Sequence, residues 1–462
     1  MAERADLHLP FAARWLDVAG VGLLVLGGSI IISGGFRELT PFGQISVTSW
    51  ERPLLLGAVL LLVRHWRWRH PSAGSRLLQT LRRWWRSDEA RAVWPVALAS
   101  RVAVLVVGFF GITLIGYAPG TPPYRFYNND FLDMPARWDT GWYMGIATSG
   151  YSFDPAAADS MQNIAFFPMY PMLMHYGGLF AARQVIWVGV AVSFAAFLWA
   201  ATYLFRLARA HLGDDAAAAG VGFLAVYPFA LFFSAAYTES LFLLTLVAAC
   251  FHFERDELWR AGAWSLVAGL TRPNGCLLSV VLALMALRQL RTTPWPTTAA
   301  RIAAASASGI GMLTFSAYIY FLTGHPFQWA AQHGAWGRVY RGLGSLIGDR
   351  IQYVEAHGLY NYASTLSLDV LNASAVVFAL ASVWPVYRRL GFPYAAMILV
   401  NVLLPLTFGG VLSMGRVTSV MFPSFLWLGA SIPAAQRSGW FVGLAMLQAL
   451  CAIAFFTWRP LY

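Results

Sequence analysis

Apolar runs of about 20 residues recur along this chain, which is the length that crosses a bilayer as an α-helix. The runs 17–33, 94–117, 184–205, 302–322 and 367–387 are of this kind. Backbone polar groups in lipid must be satisfied inside a helix or a closed barrel. These runs are continuous rather than short and alternating, so a β-barrel is excluded. Composition agrees. The chain is 58% hydrophobic and 11% charged, against about 25% charged in an ordinary soluble domain. The fold class expected is an all-α polytopic membrane protein.

The formal net charge of +11 comes from 32 basic residues, all of them Arg. Many cluster just before the run 94–117, at Arg64, Arg67, Arg69, Arg76, Arg82, Arg83, Arg86 and Arg91. Positive charge collects on the cytoplasmic side of a membrane protein, which places this loop inside. Leu77, Leu78, Leu81, Trp84 and Trp85 within it suggest an amphipathic helix on the anionic leaflet. No motif supports a nucleic-acid partner. Cys250, Cys276 and Cys451 are scattered through apolar segments and read as small buried hydrophobes, with no disulfide framework or zinc spacing. The run 17–33 reads as a retained helix rather than a cleaved signal peptide, because retaining it gives a consistent charge pattern downstream.

With the N-terminus inside, 17–33 leaves, 53–63 returns and 94–117 leaves again. Residues 118–183 form a long external region, whose Pro, Gly and aromatic content predicts short interfacial helices. Then follow 184–205, 216–234, 238–253, a broken pair within 261–290, and 302–322. A second external region spans 323–366, before 367–387, 394–408, 417–434 and 440–457. This makes eleven full spans plus the broken pair, or about eleven to thirteen helices, with a C-terminus outside. The expected division is 1–93, two helices with the Arg-rich loop, and 94–462, a transmembrane core.

Four charged residues fall where chemistry could use them. Asp139 stands in Arg137-Trp138-Asp139 beyond the exit of the third span. It could pair with Arg137 or cap the helix that starts near Thr140. It could also act as a general base, taking the proton of an attacking hydroxyl in a transfer with inversion. Glu239 sits at the tip of the tight link Ala236-Tyr237-Thr238-Glu239-Ser240, either in a capping box with Thr238 or on a substrate hydroxyl. Arg272 interrupts an apolar stretch in Thr271-Arg272-Pro273-Asn274-Gly275 and so demands a partner. Arg416 follows Ser413-Met414-Gly415 at an outer helix start. It could snorkel, or bind phosphate bidentately. Asp214 and Asp215 read as first-turn acids of a helix. The histidines, His333 among them, fall at no metal-ligand spacing. No Asp-x-Asp pair or nucleotide loop points to a metal-dependent nucleotide-sugar enzyme.

Together these motifs resemble the PIG-V-type mannosyltransferases. Arg137-Trp138-Asp139 with Ile146-Ala147 and Gly150-Tyr151 is similar to that family's first external loop. The resemblance extends through Phe166-Phe167-Pro168 with Tyr170-Pro171, and Tyr227-Pro228 with Ser234 to Phe242. It continues through Arg272-Pro273-Asn274-Gly275 and Ser413 to Arg416 with Phe422-Pro423, in the family's order across about 94–435. It implies a GT-C fold and a polyprenyl-phosphate sugar donor, usually mannose. It further implies a metal-independent inverting transfer, with Asp139 catalytic and Glu239 beside it. Arg137, Trp138, Tyr237, Arg272, Asn274 and Arg416 would bind donor phosphate and substrate.

No cofactor is implied. The partners implied are the lipid-linked donor, the bilayer, and a glycolipid, polysaccharide or protein acceptor. The two N-terminal spans and the Arg-rich loop are extra to the family core, and Trp142-Tyr143 differs from the pair often found there. The lysine-free, Ala- and Arg-rich composition suggests a GC-rich bacterial genome, so a glycosylphosphatidylinositol acceptor is not expected. The site would face outward across the inner, plasma membrane. The rival readings are a polyprenyl-lipid transporter or flippase, which would favour two-fold repeats, and a non-catalytic membrane scaffold.

Overall fold

The computed structural model describes residues 10–40, 43–68, 73–121, 125–181, 184–290 and 293–461. Arg69 of the Arg-rich loop lies outside these residues, as do the side chains of Leu77, Leu81 and Trp84. Seven described helices are long and apolar enough to cross a membrane: Phe11–Ile31, Asp88–Ile115, Val185–Leu212, Trp295–Thr323, Ser367–Leu390, Phe392–Gly409 and Ala434–Phe456. The protein is a multi-pass α-helical membrane protein.

Two expected spans are not continuous. The first, 216–234, is Asp214–Val226 followed by a 3-10 helix Pro228–Ser234, bent by 82°. Pro228 has no N–H to donate, and it pushes the preceding residue out of the helical region; Tyr227 accordingly has φ −57° and ψ 137°. The second, 417–434, is the pair Met414–Ser419 and Phe422–Ser431. The break expected in 261–290 is present. Leu258–Thr271 ends at Arg272, extended before Pro273, and a 3-10 turn Pro273–Leu277 leads into Leu278–Arg288.

The chain divides into two compact units, and the first is Met1–Arg91 with Leu173–Val188. Its helices Phe11–Ser33 and Glu51–Arg67 approach closely at glycines; a Cβ on Gly57 would lie 2.8 Å from the Gly20 carbonyl oxygen. Between them runs an antiparallel hairpin, Phe36–Thr40 against Gly43–Val47, which an all-helical reading does not foresee. Asp17 is buried within the first helix and accepts from Arg64 Nε at 3.0 Å and from Arg76. Arg76 belongs to the helix Ala73–Trp85 formed by the Arg-rich loop.

The second unit is Ala92–Met172 with Gly189–Tyr462. Its centre is the helix Glu239–Glu254, buried along almost its whole length. The first long interhelical region is ordered as expected, with helices Asp130–Asp133, Thr140–Ser149 and Met169–Phe180. The second carries helices Gln328–Gln332, Gly342–His357 and Leu359–Thr365. They share a hydrophobic cluster, Ile164 and Phe167 with Phe315, Ile319 and Trp329. Gln332 Nε2 adds a hydrogen bond to the Ala158 carbonyl at 3.1 Å.

Leu258–Thr271 lies directly against Trp295–Thr323 because both are glycine at the crossing. A Cβ on Gly269 would overlap the Ser308 carbonyl, and one on Gly311 would overlap that of Leu266. Close backbone approach of this kind is how helices gain packing energy in lipid. Gly269→Val should therefore lower stability by about 1–3 kcal/mol, the usual cost of overpacking. Thermal melting in detergent checks this, and an unchanged midpoint would contradict the crossing.

Candidate active site

Asp139 is held by the backbone around it rather than by its own cap. Trp138 has φ +51°, a left-handed conformation rare for a bulky residue. This turn directs the chain into the helix Thr140–Ser149. Asp139 precedes that helix, yet its side chain makes no capping hydrogen bond. Its backbone N–H donates to the Tyr237 hydroxyl at 3.0 Å, and that hydroxyl donates to the Arg137 carbonyl at 3.3 Å. Its carboxylate is therefore available, and Oδ2 accepts from Arg416 Nη1 at 2.5 Å. Neither capping nor a pair with Arg137 accounts for Asp139.

Glu239 is fully buried. Oε1 accepts from Arg416 Nε and from Arg272 Nη1, both at 2.5 Å. Its place in the first helical turn adds favourable dipole, while Thr238 makes no side-chain cap. Oε2 is buried with no hydrogen-bond partner. Arg416 comes from the short helix Met414–Ser419, entered through Ser413 at φ +60°. Its guanidinium also lies 4.7 Å from the centre of the Tyr237 ring. Snorkelling does not describe it, since it is buried and paired with two carboxylates.

The structure thus brings together Asp139, Tyr237, Glu239, Arg272 and Arg416. Asn274 stands one turn away and donates to Asn401 Oδ1 at 2.9 Å. Arg137 is a correction. It is buried with its donors engaged: Nε on the Phe456 carbonyl at 2.8 Å, Nη1 on that of Asp133 at 2.7 Å, and Nη2 on the Tyr117 hydroxyl at 3.3 Å. Such a guanidinium secures the turn before Asp139 and has no fork left for phosphate. Trp138 is likewise structural, with Nε1 donating to the Phe455 carbonyl at 3.3 Å and its ring 4.9 Å from that of Trp458.

Sequence reasoning missed the other side of the site. Trp142 stacks on Phe166 at 5.7 Å, and Trp336 meets both edge-on at 5.7 Å. Apolar aromatic faces of this kind can accept the C–H face of a sugar ring. Tyr143 packs against Phe166 at 5.3 Å, and burial pushes its hydroxyl up to about 12, so it stays a donor. The turn that carries Trp336 also carries His333 and Arg338, with the Arg338 N–H donating to the His333 carbonyl at 3.2 Å. The sequence signal for this turn was modest: Gly337-Arg338 and Arg341-Gly342, two arginines flanked by glycines. Among the described residues no group of three His, Cys, Asp or Glu could hold a metal ion.

Two stability consequences follow from burial. Removing one partner of a buried ion network leaves an uncompensated charge. Arg416→Ala should lower stability by about 3–5 kcal/mol, and adding Glu239→Gln should recover part of that. Strictly additive losses in a double-mutant melt would refute the coupling. His333 is held by burial, and then by Arg338 and Arg272, down at about 4. The unfolded imidazole binds protons below about 6.5, so stability rises with pH from 4 to 6.5. His333→Gln should flatten this acid limb in melting curves taken between pH 4 and 7; curves parallel to wild type would contradict it.

Comparison with known proteins finds similarity over part of the chain. Residues 125–293 match the family model for mannosyltransferase (PIG-V). GPI alpha-1,6-mannosyltransferase 2 of Cricetulus griseus is 31% identical over 150 residues, 30% of this chain and 29% of the relative. The Homo sapiens protein of that name is 28% identical over 213 residues, 41% of this chain and 42% of its own. The matched stretch thus spans less than half of either relative. Among solved structures, ArnT from Cupriavidus metallidurans bound to undecaprenyl phosphate aligns over 78% of this chain and 76% of its own, at 11% identity and a TM-score of 0.44. The Archaeoglobus fulgidus oligosaccharyltransferase, in complex with zinc and sulfate, aligns over 79% and 53%, at 15% identity and a TM-score of 0.42. Residues 125–293, the stretch that holds Asp139, Tyr237, Glu239 and Arg272, are similar to the mannosyltransferase (PIG-V) family.

Proposed function

We propose that this protein is a GT-C-type glycosyltransferase that moves a sugar, mannose in the first instance, from a polyprenyl-phosphate donor to an acceptor hydroxyl, with inversion. The observation that carries the reading is the Asp139–Arg416–Glu239 constellation beside an aromatic wall. Asp139 Oδ2 is held by Arg416, while Oδ1 has no hydrogen bond among the described residues. In the proposed reaction Oδ1 takes the proton of the acceptor hydroxyl as that oxygen attacks the anomeric carbon. The bond from that carbon to the phosphate oxygen breaks on the opposite face, and the polyprenyl phosphate leaves with the electron pair. A phosphate leaving group needs positive charge more than a proton donor. Glu239 Oε2, buried and without a partner, would accept from a sugar hydroxyl. The site is assigned to the extracytoplasmic side of the plasma membrane, in keeping with the Arg-rich loop inside.

A flippase needs no carboxylate fixed by a strained turn beside a sugar-sized aromatic wall, and a scaffold needs neither. Asp139→Asn keeps the shape and a hydrogen-bond acceptor for Arg416 but cannot take a proton. It should reduce transfer of labelled mannose from polyprenyl-phosphate mannose to membrane acceptors by about 10²–10⁴-fold. The protein should still purify as a folded species. Near wild-type turnover in the variant would remove Asp139 as the base.

A further inference from the structure

The charge count at the site is incomplete without a ligand. Asp139 and Glu239 are matched by Arg416 and Arg272 through the ion pairs above. Neither arginine is a free anion receptor, contrary to the expectation that Arg416 would meet the donor phosphate first. Arg338 is a third arginine near these pairs. Its guanidinium has no hydrogen bond or ion pair among the described residues. Its side chain lies over the end of the helix Phe392–Gly409; a Cβ on Gly409 would be 3.5 Å from Arg338 Cγ and 3.7 Å from Nη1. The turn is pinned there by the Arg341 N–H on the Thr407 carbonyl at 3.0 Å. Burial, then the fields of Arg416 and Arg272, push Arg338 down to about 10, against the pull of Asp139. It therefore stays charged at neutral pH, at unfavourable electrostatic cost.

One further observation points to a ligand here. His333, on the same turn, has Nε2 buried without a partner among the described residues.

We propose that Arg338 binds the phosphate of the lipid donor, with His333 Nε2 as a second contact, while Arg416 and Arg272 hold the two carboxylates. This rests on the donor class proposed above. A partly buried cation beside two neutralised ion pairs is stabilised by an anion, and the planar guanidinium fits phosphate oxygens two at a time.

The test measures binding to purified full-length protein in detergent, with three probes: a short-chain polyprenyl phosphate, the matching polyprenol, and inorganic phosphate. Arg338→Gln should weaken polyprenyl phosphate by at least about tenfold, about 1.4 kcal/mol. It should leave polyprenol binding unchanged, and Arg338→Lys should recover only part of the loss. The ligand-free variant should melt at or above the wild-type temperature, because the replaced charge had no partner; a structural arginine would give a lower midpoint. Equal binding of polyprenyl phosphate by wild type and Arg338→Gln would overturn the assignment while leaving the donor class standing. Wild-type protein that ignores polyprenyl phosphate would overturn the donor class and this assignment with it. Equal stabilisation by millimolar inorganic phosphate and by the lipid would overturn the lipid assignment alone.

Discussion

One guanidinium organises the second unit. Arg416 donates to Asp139 and to Glu239, residues 277 and 177 positions away in the chain. Two carboxylates this close raise each other's cost of ionisation unless a cation lies between them. Neither the Asp139 turn nor the Glu239 helix start is thus electrostatically complete until the segment Met414–Ser419 has docked. Folding of the core and assembly of the site are then the same event. Arg272 completes the arrangement from the interrupted helix pair, donating to Glu239 Oε1 from the break itself.

The two partners of the central ion pair are both presented from costly backbone. Trp138 precedes Asp139 at φ +51°, and Ser413 precedes the helix of Arg416 at φ +60°. A non-glycine residue in the left-handed region costs on the order of 1–3 kcal/mol and persists only where surrounding contacts over-determine it. For Trp138 those contacts are visible: the indole N–H on Phe455, the ring on Trp458, and Arg137 beneath on the carbonyls of Asp133 and Phe456. The rigid seat of Asp139 is the purpose Arg137 serves.

The sequence made the membrane class, the ordered first interhelical region and the break at Arg272-Pro273 legible, because hydropathy and proline act locally. It also singled out Asp139, Glu239, Arg272 and Arg416, because charge in or beside apolar stretches requires a partner. What it could not supply was the pairing. Arg137 looked like a ligand because it neighbours Asp139, yet the carbonyls that occupy it come from a helix more than 300 residues away as well as from its own turn. Nothing in the sequence singles out Arg338, and only the folded chain brings it within the electrostatic reach of Arg416, Arg272 and Asp139. The span 216–234 is continuous by hydropathy, and the bend at Pro228 leaves hydropathy unchanged.

The unmet groups of the site define what must enter it. Glu239 Oε2 is a buried acceptor that lacks a donor, and His333 Nε2 is a buried ring nitrogen that lacks any partner. Arg338 is a cation with no ion pair among the described residues. A buried polar group without a partner costs about 1–3 kcal/mol, and a charge costs more. In the proposed reaction the ligand carries hydroxyls toward Glu239, an apolar ring face toward Trp142 and Trp336, and a negative group toward Arg338. A plain lipid lacks the hydroxyls, and a free sugar lacks the anion. A sugar joined to a phosphate, the donor class proposed above, has all three on one molecule.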